Sequence, residues 1–379
     1  MVFLVSVSIE MIFFILFLFI PCTLAGMVNV CSDAKDCPSC TQSYTHIFSF
    51  REHCRWCIPT GKCGAPISCP SGSATAQRDP FKCPISPSSA KGRRYTDKLG
   101  RSLYSLALAV KQEDPTKCLR NSRPDVELIK RYEVECDQTG NTCAGMLAVS
   151  QEAKAIYVVY RGSTFDKQLF QEFVHGIGAQ LGAWEKFVNG TGVMTYFYGG
   201  FRNLFLKGGM KEKIFELNKK YQGYRIWVTG HSLGGSLASM TALYLANSTQ
   251  FNPDKIRLVT FGEPRTGNFL FAKAIEQNIK FRYRIVNKND IVTNVPASMD
   301  PDNLLFSVAT AERQPFFYRF LVHYPEGMKK TSKFKQCSYA EDHHCRNLGI
   351  ALDVNDHITY FGIKADDYLK SECERGLLL

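Results

Sequence analysis

The sequence has only one long apolar run, and it lies at the N-terminus. Residues Ile12–Ile20 carry no polar side chain, but this run is too short to span a bilayer comfortably, because a transmembrane helix needs about 20 apolar residues. A positive n-region is also missing, since Glu10 stands where a secretory signal usually has lysine or arginine. The small residues that follow still predict a cleaved signal peptide, residues 1–25. Met11 as the true start would remove the anomaly, and an uncleaved membrane anchor is the alternative.

No nucleic-acid-binding motif accompanies the basic charge of the chain. The formal net charge is +11, but the lysines and arginines are scattered over all 379 residues, so nucleic acid is not an expected partner. The charge indicates either an ordinary basic surface or attraction to an anionic interface such as phospholipid. The length predicts one large domain and one small domain.

Free thiols are not expected, because the number of cysteines is even after the signal peptide is cleaved. Of 15 cysteines, only Cys22 lies within the signal. The even remainder predicts a disulfide framework in an oxidising compartment. We therefore expect the protein to be secreted to the extracellular space, with the lysosome as an alternative. In that setting Asn189 and Asn247, each in an Asn-x-Thr or Asn-Ser-Thr context, become candidate glycosylation sites.

Apolar residues are scarce in residues 26–84, which hold eight cysteines. These are Cys31, Cys37, Cys40, Cys54, Cys57, Cys63, Cys69 and Cys83. Such a segment cannot build an apolar core and must be cross-linked. The Cys37-x-x-Cys40 and Cys54-x-x-Cys57 pairs also fit a zinc ribbon, but the secretory start favours disulfides, and no metal is predicted. Eight cysteines allow about 105 pairings, so neither the connectivity nor the partner of this module can be deduced.

Proline, serine and glycine mark residues 85–94 as a linker, in which Lys91–Arg94 is either an exposed loop or a processing site. Residues 95–379 alternate apolar helices and strands, which predicts an α/β domain with a mostly parallel sheet and flanking helices. The predicted helices are Leu99–Lys111, Met210–Tyr221 and Asn268–Asn278, and the predicted strands are Met146–Val149, Ala155–Tyr160, Lys255–Phe261 and Phe281–Val286.

A strand and a helix of this domain are joined by the sequence Gly-His-Ser-Leu-Gly. The G-x-S-x-G pattern is weak alone, but between a strand and a helix it is typical of a nucleophile elbow. Ser232 would expose its hydroxyl there. Gly230 and Gly234 would avoid the clash that a Cβ causes in so tight a turn. The Leu233 N–H, at the helix N-terminus, would face the position where an oxyanion forms.

A serine nucleophile needs a base and an orienting carboxylate, which follow it in the order Ser, Asp, His on this kind of sheet. Asp290 is favoured because it lies just past the C-terminal end of a predicted strand, and His357 because it follows every other element. The competing candidates are Asp254, Asp300 and Asp302 for the carboxylate and His323, His343 and His344 for the base.

Five segments in this order resemble the class 3, fungal-type, lipases. They are Tyr160–Ser163, Thr229–Gly235, Phe261–Gly267, Val286–Pro296 and His357–Phe361. The resemblance covers the chain from about residue 95 and implies an α/β-hydrolase fold. It implies Ser232 as nucleophile, Asp290 as orienting carboxylate and His357 as base. It also implies that Ser163 and Leu233 form the oxyanion hole.

The same resemblance implies cross-links and a lid. The implied disulfides are Cys118–Cys373, Cys136–Cys143 and Cys337–Cys345. The implied lid follows the oxyanion segment, with an apolar face made of Leu169, Phe170, Phe173 and Val174; a permanently buried helix is the alternative. Such a face would exchange protein contacts for lipid contacts at an interface. The sequence departs from the family pattern at Ile291 and Tyr198.

Three functions are compatible with these sequence features. The first is a secreted triacylglycerol lipase that works at a lipid–water interface through an acyl-enzyme and needs no cofactor. The second is a phospholipase or other carboxylesterase on the same fold, which the basic charge would favour. The third is a secreted binding protein without catalytic activity.

Overall fold

The computed structural model describes residues 30–47, 50–65, 68, 75–77, 80–86, 94–136, 140–163, 183–296, 314–340, 345 and 352–374. It divides the chain into two units, Met1–Pro84 and Ile85–Leu379. No helix within the described ranges is both long enough and apolar enough to cross a membrane. Several predicted features lie outside these ranges: the signal peptide, Lys91–Arg93, the lid residues Leu169, Phe170, Phe173 and Val174, and the competing candidates Asp300, Asp302, His343 and His344.

Disulfides hold the smaller unit together in place of an extended apolar core. The described pairs are Cys31–Cys54, Cys37–Cys83 and Cys40–Cys63, and Cys57 is also disulfide-bonded. Trp56 packs against two of the buried cysteine clusters. These sulfurs are therefore engaged with one another and cannot act as zinc-binding thiolates, which confirms the disulfide interpretation.

The smaller unit has short elements only. They are the helix Cys37–Gln42, the 3-10 turns Val30–Asp33 and Pro80–Lys82, the hairpin Tyr44–Ile47 with Phe50–His53, and the strand Arg55–Cys57 between Lys62–Gly64 and Thr75–Gln77.

An eight-stranded sheet forms the centre of the larger unit. Its strands are β1 Glu127–Glu135, β2 Thr142–Ser150, β3 Ala155–Tyr160, β4 Arg225–His231, β5 Ile256–Phe261, β6 Phe281–Asn287, β7 Leu321–Tyr324 and β8 Lys335–Gln336. They lie in the order β8-β7-β6-β5-β4-β3-β2-β1. Strands β3 to β7 are parallel, and β1, β2 and β8 pair antiparallel. The prediction of a mostly parallel sheet is confirmed.

Helices and short strands surround this sheet. The helices are α1 Asp97–Ala109, α2 Thr116–Ser122, α3 Thr195–Phe201 with a π-helical extension Arg202–Lys207, α4 Met210–Lys220, α5 Leu233–Ala246, α6 Phe269–Asn278, α7 Val354–Ile358 and α8 Ala365–Lys370. A second sheet joins Trp184–Lys186, Gly192–Met194, Gly267–Asn268 and Pro315–Phe316, and a hairpin joins Thr359–Tyr360 to Ile363–Lys364. The 3-10 turns are Val188–Gly190, Pro253–Lys255 and Ile291–Asn294.

Apolar side chains cover both faces of the sheet. Alternate residues of β3 show this, because Val158 belongs to the core on the α5 face and Val159 to the core on the α1 face. Every residue of α5 except Tyr244 is buried, as expected of a helix enclosed on all sides. The sheet and α5 therefore form a rigid support for the turn that joins them.

The predicted helix Leu99–Lys111 runs instead from Asp97 to Ala109. It starts earlier because the Thr96 hydroxyl caps it, accepting a hydrogen bond of 3.2 Å from the Leu99 N–H.

Candidate active site

The chain makes a strained turn at Ser232, where β4 ends and α5 begins. Ser232 has φ 58° and ψ −129°, a conformation that costs a non-glycine residue about 1–3 kcal/mol. A Cβ at Gly230 would lie 2.2 Å from the Gly234 carbonyl oxygen, and a Cβ at Gly234 would lie 2.5 Å from that of Tyr160. Both positions therefore require glycine, for the steric reason that the sequence suggested.

The turn after β6 and the short helix α7 bring a carboxylate and an imidazole together. His357 Nδ1 lies 2.9 Å from each carboxylate oxygen of Asp290. Asp290 also accepts hydrogen bonds from the Val292 N–H at 2.9 Å and from the Tyr360 hydroxyl at 2.6 Å. Burial raises the pKa of Asp290, but the charge and hydrogen bond of His357, with that of Tyr360, outweigh it, so the pKa lies below its ordinary value. The ionised carboxylate fixes the ring with Nδ1–H toward Asp290 and leaves Nε2 at the opposite edge.

Backbone and side-chain hydrogen bonds hold these two segments against each other. Asn287, the last residue of β6, donates from Nδ2 to the carbonyls of Asp356 at 2.9 Å and Thr359 at 2.8 Å. The Asp353 N–H donates to the Asn289 carbonyl at 3.1 Å, and the Asn289 N–H donates to the Asp356 carboxylate at 3.2 Å. The position of the imidazole is thus determined on both sides of α7.

The predicted oxyanion segment runs directly beside the serine. A Cβ at Gly162 would lie 2.8 Å from the His231 carbonyl oxygen and 3.3 Å from the Ser232 Cβ. The hydroxyls of Ser163 and Ser232 are both buried, and neither has a hydrogen-bond partner among the described residues. Leu233 is the first residue of α5, so its N–H has no partner within the helix. Buried donors without partners on these two adjoining segments are groups from which a substrate oxyanion could accept hydrogen bonds.

Arg161 holds the segment that contains Gly162 and Ser163 in place through its side chain. The sequence did not indicate this role. Its buried guanidinium donates to the Glu133 carboxylate at 2.8 Å and to the Thr142 carbonyl at 2.6 Å. Burial alone would raise the pKa of Glu133, but hydrogen bonds from Thr142, Arg131 and Arg161 lower it to about 2.

His231, the variable residue before the serine, stacks on the second imidazole. The rings of His231 and His357 have centroids 4.4 Å apart and planes tilted by 31°. Burial, followed by the nearby charges of His357 and Lys111, holds the pKa of His231 well below its ordinary value. The neutral ring therefore donates from Nε2 to the His357 carbonyl, 2.9 Å away. The G-x-S-x-G pattern leaves this position open and so gave no signal.

Gly262 contacts the same pair and was also missed. Its φ is +56°, and a Cβ there would lie 2.8 Å from Asp290 Oδ2 and 2.8 Å from His357 Cε1. The Phe261–Gly267 segment was noted only as part of a resemblance. The steric role of its glycine depends on residues far along the chain.

Two of the competing candidates lie elsewhere. His323 is in β7 and bonds through Nε2 with the Lys288 carbonyl at 3.0 Å. Asp254 is exposed and forms an ion pair with Lys280 at 2.7 Å. The structure brings neither of them to Ser232.

The cross-links implied by the resemblance are present as pairs in the structure. They are Cys118–Cys373, Cys136–Cys143 and Cys337–Cys345. The candidate glycosylation residues Asn189 and Asn247 are both exposed. The Asn189 side-chain amide donates to that of Asn247 at 2.7 Å, so the two sequons share one surface patch.

Two cavities adjoin the elbow. One has a volume of about 450 Å³ and contains Ser163, Ser232 and His357 in its wall. The other has a volume of about 120 Å³ and is lined by α3, Leu233 and the Cys136–Cys143 disulfide. Within the described part of the chain, no three His, Cys, Asp or Glu side chains are grouped to hold a metal ion.

A serine on a strand–helix elbow that lines the same cavity as an imidazole paired with a carboxylate is the arrangement typical of the α/β-hydrolase class. Comparison with known proteins agrees. Residues 157–299 match the family described as Lipase (class 3). A lipase of Caenorhabditis elegans is 30% identical over 315 residues, which cover 75% of this chain and 84% of the relative. The chain therefore belongs to the class 3 lipase family and is a carboxylic ester hydrolase.

Further relatives are fungal. A secreted mono- and diacylglycerol lipase of Fusarium solani is 27% identical over 248 residues, 65% of this chain and 68% of the relative. The solved structure of lipase II from Rhizopus niveus superposes with a TM-score of 0.56 at 22% identity, over 71% of this chain and 95% of that one. That likeness concerns the fold.

Proposed function

We propose that Ser232, His357 and Asp290 form the catalytic triad of a lipase that hydrolyses acylglycerols. The observation that supports this most is the pairing of His357 Nδ1 with both oxygens of Asp290 at 2.9 Å. Ser232 and His357 line the same cavity. The three residues are dispersed along the sequence, so their convergence at one sheet edge is specific.

The reaction proceeds through an acyl-enzyme. As Ser232 Oγ bonds to the ester carbonyl carbon, His357 Nε2 takes its proton, and Asp290 stabilises the resulting imidazolium. The carbonyl oxygen becomes an oxyanion that accepts hydrogen bonds from Leu233 N–H and Ser163. His357 then protonates the departing glycerol oxygen. Water, deprotonated by His357, then attacks the acyl carbon; the bond from that carbon to Ser232 Oγ breaks, His357 returns the proton to Oγ, and the fatty acid leaves.

The oxyanion donors contribute a large part of the rate. One such preorganised donor is worth about 3 kcal/mol in the transition state. Arg161, held by Glu133 and Thr142, keeps the Ser163 segment at this point. The donors therefore need little reorganisation when charge develops.

The smaller cavity supports an acyl substrate. Its walls are mainly apolar, with Tyr196, Gly199 and Gly200 of α3 on one side and the Cys136–Cys143 disulfide on another. Because Leu233 also lines it, it opens next to the oxyanion position, where the acyl carbonyl would lie. The first carbons of a fatty acyl chain would lie there. Triacylglycerol, diacylglycerol and monoacylglycerol share this ester, and we propose triacylglycerol as the main substrate.

Secretion is also part of the proposal. Cross-links in both units support an oxidising compartment, and the Fusarium solani relative is named as secreted. We propose that residues 1–25 are a signal peptide, 26–84 a cysteine-rich module, 85–94 a linker and 95–379 the hydrolase domain. The extracellular space is the proposed location.

Ser232→Ala tests the nucleophile. With emulsified triolein, the variant should lose about 10⁴-fold or more of kcat, because the remaining donors cannot replace a covalent step. Ser248→Ala, a change just beyond the far end of α5, serves as the control and should keep the wild-type rate. Triolein hydrolysis by Ser232→Ala within tenfold of wild type would disprove the triad.

A further inference from the structure

His231 is a titratable residue next to the proposed base, and the proposed chemistry does not use it. It is the last residue of β4, directly before Ser232, and its backbone pairs with Phe261 of β5. The rings of Tyr104 and Tyr360 pack against it edge-on, with centroids 5.8 and 5.3 Å away and planes inclined by 76° and 75°. A side chain packed among rings at the end of a central strand has little freedom to move.

The imidazole of His231 restrains His357 in two ways that Asp290 does not. Asp290 contacts the Nδ1 edge of the His357 ring, and this contact leaves the ring able to tilt about that edge. The ring of His231, with its centroid 4.4 Å away and its plane tilted by 31°, covers a face of the His357 ring and opposes such a tilt. In addition, His231 Nε2 lies 2.9 Å from the His357 carbonyl oxygen, so a hydrogen bond fixes the backbone that carries the base.

The low basicity of His231 suits this restraining role. Burial, followed by the nearby charges of His357 and Lys111, holds the pKa of His231 well below its ordinary value. The ring therefore stays neutral, donates from Nε2 and leaves Nδ1 as an acceptor. A charged ring at this distance would repel the imidazolium that His357 becomes during catalysis, whereas a neutral ring does not.

His231 also contacts the oxyanion segment. A Cβ at Gly162 would lie 2.8 Å from the His231 carbonyl oxygen and 3.4 Å from its Nδ1, and Ser163 follows Gly162 directly. We propose that His231 is a positioning residue that holds the base His357 in register with the oxyanion segment, so that proton transfer and oxyanion binding occur in one fixed geometry. This inference rests on the proposed triad and adds a residue that acts through His357.

Three substitutions in the full-length protein separate the two contacts, with soluble p-nitrophenyl butyrate as substrate. His231→Phe keeps the ring face and removes the donor, His231→Gln keeps a donor and removes the ring, and His231→Leu removes both. In His231→Leu we expect kcat to fall about 100-fold, the effect of a displacement of about 1 Å, with KM within about twofold of wild type. His231→Phe and His231→Gln should each recover about tenfold of this loss. The control Asn278→Leu removes a side-chain hydrogen bond of 2.8 Å to the Ala274 carbonyl at the end of α6 and should keep the wild-type kcat.

Two kinds of result would overturn the inference. One is a wild-type kcat in the three variants, or a KM that rises while kcat stays constant. The other is a loss in His231→Phe as large as that in Ser232→Ala, because His231 would then be the base itself. His231→Phe and His231→Gln decide the result if circular dichroism shows that His231→Leu does not fold.

The rate of labelling by a fluorophosphonate distinguishes this inference from the proposed triad. If the wild-type protein is labelled at Ser232 and the His231 variants react at the same rate, only the positioning role fails. If the wild-type protein is not labelled at Ser232, the triad itself fails. We expect labelling at Ser232 in every variant, slowed by the same factors as kcat.

Discussion

Single residues of this site are fixed by contacts at very short range. The strained turn at Ser232 and the need for glycine at Gly230 and Gly234 could be predicted from sequence, because the G-x-S-x-G pattern between a strand and a helix is typical of this turn. Gly262 could not, since the atoms that exclude a side chain there belong to Asp290 and His357, which only the folded chain brings near. The role of His231 could not be predicted either, because its imidazole donates a hydrogen bond to the carbonyl of His357, which lies 126 residues away in the sequence.

Gly262→Ala should disable the triad without removing any of its members. A methyl group there would lie 2.8 Å from Asp290 Oδ2 and from His357 Cε1, so the pair must shift. A displacement of about 1 Å costs about 100-fold in rate, and we expect kcat on triolein to fall by that amount with little change in KM. Gly223→Ala is the matched control, because Gly223 also has a positive φ, +81°, but nothing lies within 4 Å of its Cβ. Equal kcat values for the two variants would contradict this role of Gly262.

Elements could be predicted where they are buried on both faces. The strand Ala155–Tyr160 was predicted with the bounds that the structure shows, because every residue in it is buried and apolar. Strand β1 was missed, and of β2 only the C-terminal half, Met146–Val149, was predicted. β1 lies at the sheet edge with exposed charged residues in the sequence ELIKRYEVE, which gives no clear alternation. Strand β1 nevertheless affects the site, because its residue Glu133 accepts a hydrogen bond from Arg161. Arg161 in turn precedes the proposed oxyanion residue Ser163.

The hydrogen bonds that Thr142, Arg131 and Arg161 donate to the Glu133 carboxylate should contribute a pH-dependent stability. The folded-state pKa of Glu133 is about 2 against an ordinary value of 4.5. The contribution is therefore fully present above pH 4.5 and is lost as the pH falls toward about 2. Because the Glu133 side chain is 33% exposed and solvent screens its charge, we expect Glu133→Gln to reduce the free energy of unfolding by about 1 kcal/mol or less at pH 7. Urea unfolding of both proteins should show this difference shrinking at pH 3. A difference that stays constant or grows in acid would argue against the ion pair.

For the whole molecule, the order of the motifs was sufficient to predict the α/β-hydrolase fold, but not the pairing of the N-terminal cysteines. Which sulfurs meet in Cys37–Cys83 or Cys40–Cys63 depends on distances in a folded module with little apolar core. Sequence spacing does not encode those distances. In the larger unit, Cys118–Cys373 is a different kind of cross-link, since it connects α2 to the segment after α8 across 255 residues.

This long-range disulfide should stabilise the larger unit more than a short-range one does. In the chain-entropy description, closing a long loop restricts the unfolded state more than closing a short one, by about 2–3 kcal/mol for these two lengths. The pair Cys337–Cys345 spans only 8 residues and provides the comparison. Calorimetry should therefore find a larger fall in Tm for Cys118→Ser/Cys373→Ser than for Cys337→Ser/Cys345→Ser. The reverse order would show that local contacts, rather than loop closure, determine the effect.

Covalent labelling of the purified protein with a fluorophosphonate, followed by mass spectrometry of its peptides, tests whether Ser232 is the nucleophile. We predict one modified residue, Ser232, with labelling absent from Ser232→Ala and strongly slowed in His357→Ala, because the hydroxyl reacts only when an imidazole removes its proton. Failure of the wild-type protein to react, or a label that persists in Ser232→Ala, would contradict the assignment of Ser232 as the nucleophile.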